Sequence, residues 1–537
     1  MKKVVIILCL LGLAGMTVRE EMRVASVFSD HMVIQRGKKV PVWGEAAPGE
    51  TVVVEFNGQK QKTVTGTDGR WRVTLSPMKA NRKGQPLTIK GEQHMIVLKD
   101  VVIGDIWIMA GQSNMFRDIR SMGPINKEAV EKADNPQIRY FKVPPKVATR
   151  PQSHLEAKWG VLDKDHVTTL TAIGVIFAEK IQPVLNVPVG ILSVNMGSTS
   201  VECWVPMEIM QKPPFLETWR YWEKELDQWD RGGYEKYLEL QQKQASRKKK
   251  PFPTRENMIR LTETRTFPSG AYNAMLHPLF PFSVKGIVWR QGEANASRAE
   301  QYKKLLPVMI RHWRKKFQDD SLPFIQIGLP AYGTHSKKPG ESVVAELRAA
   351  QQKIARSVPG CYYIPILDLN DVHQQKGNIH PRNKYLAGCR TALFVLGNIY
   401  RTTQKIEIPL LESYQVKNDK VILTFTGVGD SLFTGRLADL KGDSIAVTRE
   451  PVNNFIIAGR DRKFVPAHAR ITGKNRIEVW SDAVKRPASV RYAWDNLVLN
   501  INLYNSSKMP ASSFRTDSWP LSTEGNHKPR ISLVLPR

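Results

Sequence analysis

From Arg23 to Asp100 apolar and polar residues alternate in short runs, such as "KVPVWGEA", "ETVVVEFNG", "RWRVTLSP" and "PLTIKG". Successive side chains of a strand point to opposite faces, so a period of two predicts strands with one face on a core. Pro48-Gly49, Asn57-Gly58 and Asp68-Gly69 punctuate the runs, and Asn-Gly or Asp-Gly between alternating segments is a hairpin signal. Residues 23–100 therefore read as a small β-sandwich, an N-terminal β domain.

At Val101 the grammar changes. Stretches apolar on both faces are predicted as strands at Val101–Ala110, Pro188–Asn195, Val284–Arg290, Pro323–Leu329 and Tyr362–Leu367. Helical periodicity fills Thr168–Leu185, Ala299–Phe317 and Glu341–Ser357 between them. Strands alternating with helices predict an α/β unit over 101–400, with a parallel sheet and helices on both faces. A polar, Trp-rich helical insertion at 215–260 interrupts it. After Gln404 alternation returns in "KVILTFTG", "RIEVWS" and "ASVRYAW", so 401–537 reads as a C-terminal β domain.

The first residues, "MKKVVIILCLLGLAGM", combine a basic start with an apolar stretch from Val4 to Leu13 and then small residues. That is the pattern of a signal peptide over 1–17, too short to span a bilayer, and it predicts an exported protein, periplasmic or extracellular. Beyond Cys9 only Cys203, Cys361 and Cys389 remain. So sparse a set is no disulfide framework, and nothing has the CxxC spacing of a zinc site, so no metal is expected. The formal charge of +29 invites anionic partners. The basic residues are spread along the chain, and the only dense run is "RKKK" at 247–250. Without a recognisable nucleic-acid motif the charge reads as surface that favours acidic glycans.

Open α/β sheets carry their chemistry at the carboxyl ends of the strands. The first predicted strand ends in Gly111-Gln112-Ser113-Asn114, the second in Asn195-Met196-Gly197-Ser198 and the third in Gln291-Gly292-Glu293-Ala294-Asn295. The last is followed by "DLNDVHQQKGNIHPRNK", which delivers His373 and His380 ahead of a helix that Pro381 is expected to start. A serine, an imidazole, a carboxylate and N–H donors on one sheet edge are the set that acyl transfer needs. Each alone has a plainer reading as a turn residue, a helix cap or a packing side chain. Their convergence at one edge is the signal.

The blocks "GDIWIMAGQSNM", "NMGSTSVECW", "GIVWRQGEANA" and "IHPRNK" resemble, in order, those of the SGNH-type esterases called sialate O-acetylesterases. The likeness runs from about Phe28 to Trp519. It implies a flavodoxin-like SGNH hydrolase core flanked by β-sandwich-like domains. It also implies removal of O-acetyl groups from sugars without a cofactor. On the matching positions Ser113 is the nucleophile and His380 the base. The N–H groups of Ser113 and Gly197 form part of the oxyanion hole, with Asn295 or Gln291 as a further donor. Many SGNH enzymes carry an Asp three residues before the histidine, where this chain has Gly377 and then Asn378. Glu293 is then the favoured acid, ahead of Asp371 and Asp368. Trp204 is a candidate sugar-stacking platform. The alternative readings are an acetylesterase of plant polysaccharide, xylan or pectin, and a carbohydrate-binding protein with a weakened centre.

Overall fold

The computed structural model describes residues 21–131, 133–247, 261–369, 378–438 and 444–531. The expected signal segment lies outside them. At the centre runs a strand of 17 residues, Met95–Gly111 (β1). It is longer than the Val101–Ala110 expected from its apolar half, because its first residues pair with Asn81–Lys90 of the N-terminal sheet. Its second half is flanked in parallel by Val189–Asn195 and Gly286–Arg290. One strand thus joins the N-terminal strands and the parallel strands into a single mixed sheet through backbone hydrogen bonds.

With Asn135–Lys142 as β2, Val189–Asn195 as β3, Gly286–Arg290 as β4, Phe324–Ile327 as β5 and Cys361–Ile364 as β6, the parallel order is β2-β3-β1-β4-β5-β6. β2 was not among the expected strands. With it set aside, the five expected strands lie second, first, third, fourth, fifth, the order of flavodoxin-like sheets. In that order the connections diverge on either side of β1, and the crevice above its carboxyl end is where such sheets bind ligands.

Alternation along β1 explains both layers. Ile106, Ile108 and Ala110 face one core with Trp289, Leu305, Met309 and Leu347, from the side of helices Ala299–Lys316 and Val343–Ser357. Trp107 and Met109 face the other with Ile173, Phe177 and Leu386, from helices Ala172–Leu185 and Lys384–Phe394. The last helix begins after Asn383, whose side chain accepts the Leu386 N–H at 3.0 Å, and not at Pro381.

In the N-terminal domain Asn57 and Gly58, both with positive φ, turn strand Thr51–Phe56 into its antiparallel partner Gln59–Val64. Asp68-Gly69 does not close a hairpin, since the strands on its two sides pair in different sheets. Within the expected insertion at 215–260, Leu216–Gln228 and Tyr234–Arg247 are helices, and 248–260 lie outside the described residues. The C-terminal region forms three small sheets around their own core. Cys203, Cys361 and Cys389 are all buried. Among the described residues, no helix is long and apolar enough to cross a membrane.

Candidate active site

β1 ends at Gly111, whose φ of +136° favours glycine, and a side chain there would strike the Arg290 carbonyl of β4. The Gln112 N–H donates to that carbonyl at 3.0 Å, and the Met196 N–H donates to the Gly111 carbonyl at 3.0 Å. The tips of β3 and β4 are thereby tied to the tip of β1. The chain then enters the single helical turn Ser113–Phe116, which lifts Ser113 onto the carboxyl edge. Gln112 turns inward, and its Oε1 accepts the N–H groups of Gly292 at 3.2 Å and Ala294 at 3.3 Å.

His380 comes from the loop that leads to helix Lys384–Phe394, and its Nε2 lies 2.9 Å from Ser113 Oγ. The His380 N–H donates to Asn378 Oδ1 at 2.9 Å, which fixes the loop locally. Burial pushes the imidazole pKa below its ordinary value, and the Arg117 and Lys384 cations push it further; Glu293 opposes them. Among the described residues, no carboxylate meets Nδ1. That nitrogen faces Arg117 Nη2 at 3.3 Å.

Glu293 is buried at the same edge, but its Oε1 accepts from Asn114 Nδ2 at 2.6 Å and lies 3.3 Å from Arg290 Nη2. The same Asn114 amide donates to the Ile379 carbonyl at 2.8 Å, next to His380. Asn114 Oδ1 in turn accepts from Lys384 Nζ at 2.7 Å. The favoured acid thus reaches the histidine loop through an amide and does not bond the imidazole. Asp368 is spent elsewhere: Arg390 grips both its oxygens at 2.6 Å and the Tyr504 hydroxyl donates to it at 3.0 Å. Asp371, His373 and Gly377 lie outside the described residues.

Of the expected oxyanion donors, Gly197 stands beside the serine, where a side-chain carbon on it would be 3.7 Å from Ser113 Cβ. The Ser113 N–H opens a helical turn and has no partner within it. Asn295 and Gln291 are corrected. Asn295 Oδ1 accepts the Val201 N–H and Gln291 Nε2, and its Nδ2 donates to Glu202 at 2.8 Å. Gln291 Nε2 also donates to the Thr199 carbonyl. Both amides are fully buried and hold up the 196–203 loop from beneath.

Glu202, paired with Arg298, anchors this network. Burial would raise its pKa, but Arg298 and the Asn295 amide outweigh it and hold the carboxyl below its ordinary value. Trp204 is also corrected. It is 0% exposed and packs edge-on against Trp289 and Trp313, so no sugar can stack on it.

Sequence reasoning assigned no role to Gln112, Asn114, Lys384 or Arg117. The first three stand inside quoted blocks, where spacing marks the block but not which amide faces inward. Arg117 had no signal, because one arginine in a polar stretch reads as surface charge. Among the described residues, no cluster of three His, Cys, Asp or Glu side chains is arranged to hold a metal ion.

Residues 268–385 match the family described as carbohydrate esterase, sialic acid-specific acetylesterase. Over 407 residues the chain is 27% identical to the sialate O-acetylesterase of Mus musculus, covering 69% of this chain and 72% of the relative. It is 24% identical to that of Pongo abelii over 533 residues, 92% of each. Among solved structures it resembles a carbohydrate acetylesterase from Xanthomonas citri with a TM-score of 0.76 and 28% identity, over 93% of this chain and all of that one. Motif series, sequence relatives and fold agree in their direction: the chain is similar to the sialate O-acetylesterases and to a carbohydrate acetylesterase.

Proposed function

We propose that this protein is an exported serine esterase with an SGNH-type centre that removes O-acetyl groups from sugars, O-acetylated sialic acids first among them. The observation that carries the reading is the 2.9 Å contact between His380 Nε2 and Ser113 Oγ above the carboxyl end of the central strand. In the reaction, Ser113 Oγ attacks the acetyl carbonyl while His380 takes its proton. The oxyanion is met by the N–H groups of Ser113 and Gly197. His380 returns the proton to the departing sugar hydroxyl, and water clears the acetyl-enzyme by the same path in reverse.

The relatives named sialate O-acetylesterase and the charge of +29 favour an acidic sugar. The carbohydrate acetylesterase at 28% identity favours a wider range of acetylated carbohydrates. Acetate release from purified protein on acetylated sialic acids and acetylated xylan decides between them. Wild-type release abolished in Ser113→Ala supports the serine mechanism; release that persists in that variant overturns it.

A further inference from the structure

Two arginines flank Ser113, and neither meets a carboxylate among the described residues. Arg117, exposed at the end of the Ser113 turn, has His380 Nδ1 as its neighbour at 3.3 Å. Arg265 is exposed too, and its Nη1 lies 3.9 Å from the point that a Gly197 side-chain carbon would occupy. That same point is 3.7 Å from Ser113 Cβ, so the guanidinium and the serine border one small space.

The Arg117 contact has a chemical consequence. A guanidinium has five donors, no acceptor and does not lose its proton in proteins. A neutral imidazole that meets it at Nδ1 must offer a lone pair there, which leaves the proton on Nε2. His380 Nε2–H then donates to Ser113 Oγ, the reverse of what a base must do.

From this geometry we infer that Arg117 is a specificity gate: it holds His380 in the idle tautomer until a sugar carboxylate draws the guanidinium away. Arg265 is the second anchor for that anion. The proposal rests on the serine-esterase reading above. Once Arg117 turns to the carboxylate, solvent exchanges the imidazole proton from Nε2 to Nδ1, with no net change in protonation. Nε2 then accepts the serine proton as the Oγ–carbonyl bond forms. A neutral acetyl ester cannot displace Arg117 and is turned over slowly.

The test compares Arg117→Met and Arg265→Met on an O-acetylated sialic acid and on 4-nitrophenyl acetate. Arg117→Met is expected to raise kcat on the neutral ester several-fold. Its kcat/KM on the acidic sugar should fall about tenfold, the scale of one lost charge-assisted hydrogen bond. Arg265→Met should raise KM for the acidic sugar. An unchanged ratio between the two esters in Arg117→Met overturns the gate, and so does an equal loss on both. Imidazole ¹⁵N shifts above the His380 pKa give an independent readout. The free enzyme should show Nδ1 unprotonated, and N-acetylneuraminate, but not xylose, should move the proton to Nδ1. A protonated Nδ1 in the free enzyme overturns the proposal. If Ser113→Ala abolishes hydrolysis of both esters while Arg117→Met leaves their ratio unchanged, the gate fails and the esterase stands. If Ser113→Ala hydrolyses both normally, the esterase reading itself fails.

Discussion

Asn114 and Glu293 share one hydrogen bond of 2.6 Å, and the amide that makes it also holds the Ile379 carbonyl at 2.8 Å. A carboxylate at the end of β4 therefore positions the histidine loop at second hand. If it does so only through Asn114, Glu293→Ala and Asn114→Ala should each lower kcat with little change in KM. The double variant should be no worse than the poorer single, the non-additivity expected of residues acting as a unit. Glu293→Gln, which keeps an acceptor for Asn114, should fall far short of the roughly 10⁴-fold loss known for an acid that fixes an imidazole tautomer. Fully additive losses would mean that Glu293 acts on His380 by another route.

This arrangement also shows how far the sequence could be read. Apolar runs such as Ile106–Ala110 and Val189–Val194 declared their strands, because burial on both faces leaves no polar register. Strand β2 was missed because Arg139 interrupts its apolar pattern. That buried arginine donates to the Pro136 carbonyl and pairs with Asp100, 39 residues away, which no local window can pair with it. The Ser113–His380 meeting was legible from strand-end logic. The orientation of Asn295, Gln291 and Trp204 was not, since an amide or indole at a strand end looks the same whether it faces the cleft or the core. Only the partners Glu202, Thr199 and Trp313 decide it.

Trp204 supplies a direct check of that correction. Trp204→Phe keeps most of the ring packing against Trp289 and Trp313 and loses the indole bond to Thr199 at 3.1 Å. We expect a lower unfolding midpoint and an unchanged KM for acetylated sugars. A large rise in KM with unaltered stability would restore the stacking role.

Asp368 should be a stability residue. Its carboxylate joins Arg390 of the helix after His380 to Tyr504 of the C-terminal region, and both charged side chains are buried. Removing one partner of a buried pair typically costs about 3–5 kcal/mol, because the other is left unpaired. Asp368→Asn should therefore shift denaturant unfolding on that scale, while the fraction that remains folded turns over at nearly the wild-type kcat. A normal midpoint with a collapsed kcat would make Asp368 part of the chemistry.

The pH profile tests the electrostatics around His380. A base works only when neutral, so activity is lost as pH falls through its pKa. Burial, the largest cause, and then Arg117 and Lys384 lower that pKa; Glu293 raises it and Arg290 lowers it. The acid limb of kcat/KM should therefore lie below the ordinary imidazole value of about 6.5. The same depression has a stability counterpart: below about pH 6.5 the unfolded chain binds the proton before the folded one does, so stability falls as pH drops. The charge variants should move the limb in opposite directions. Glu293→Gln removes the group that favours imidazolium and should shift it to lower pH. Arg117→Met removes a disfavouring cation and should shift it to higher pH. A merely structural role for either residue would change the rate and leave the limb in place. If both variants keep the wild-type limb, the titrating base is not His380.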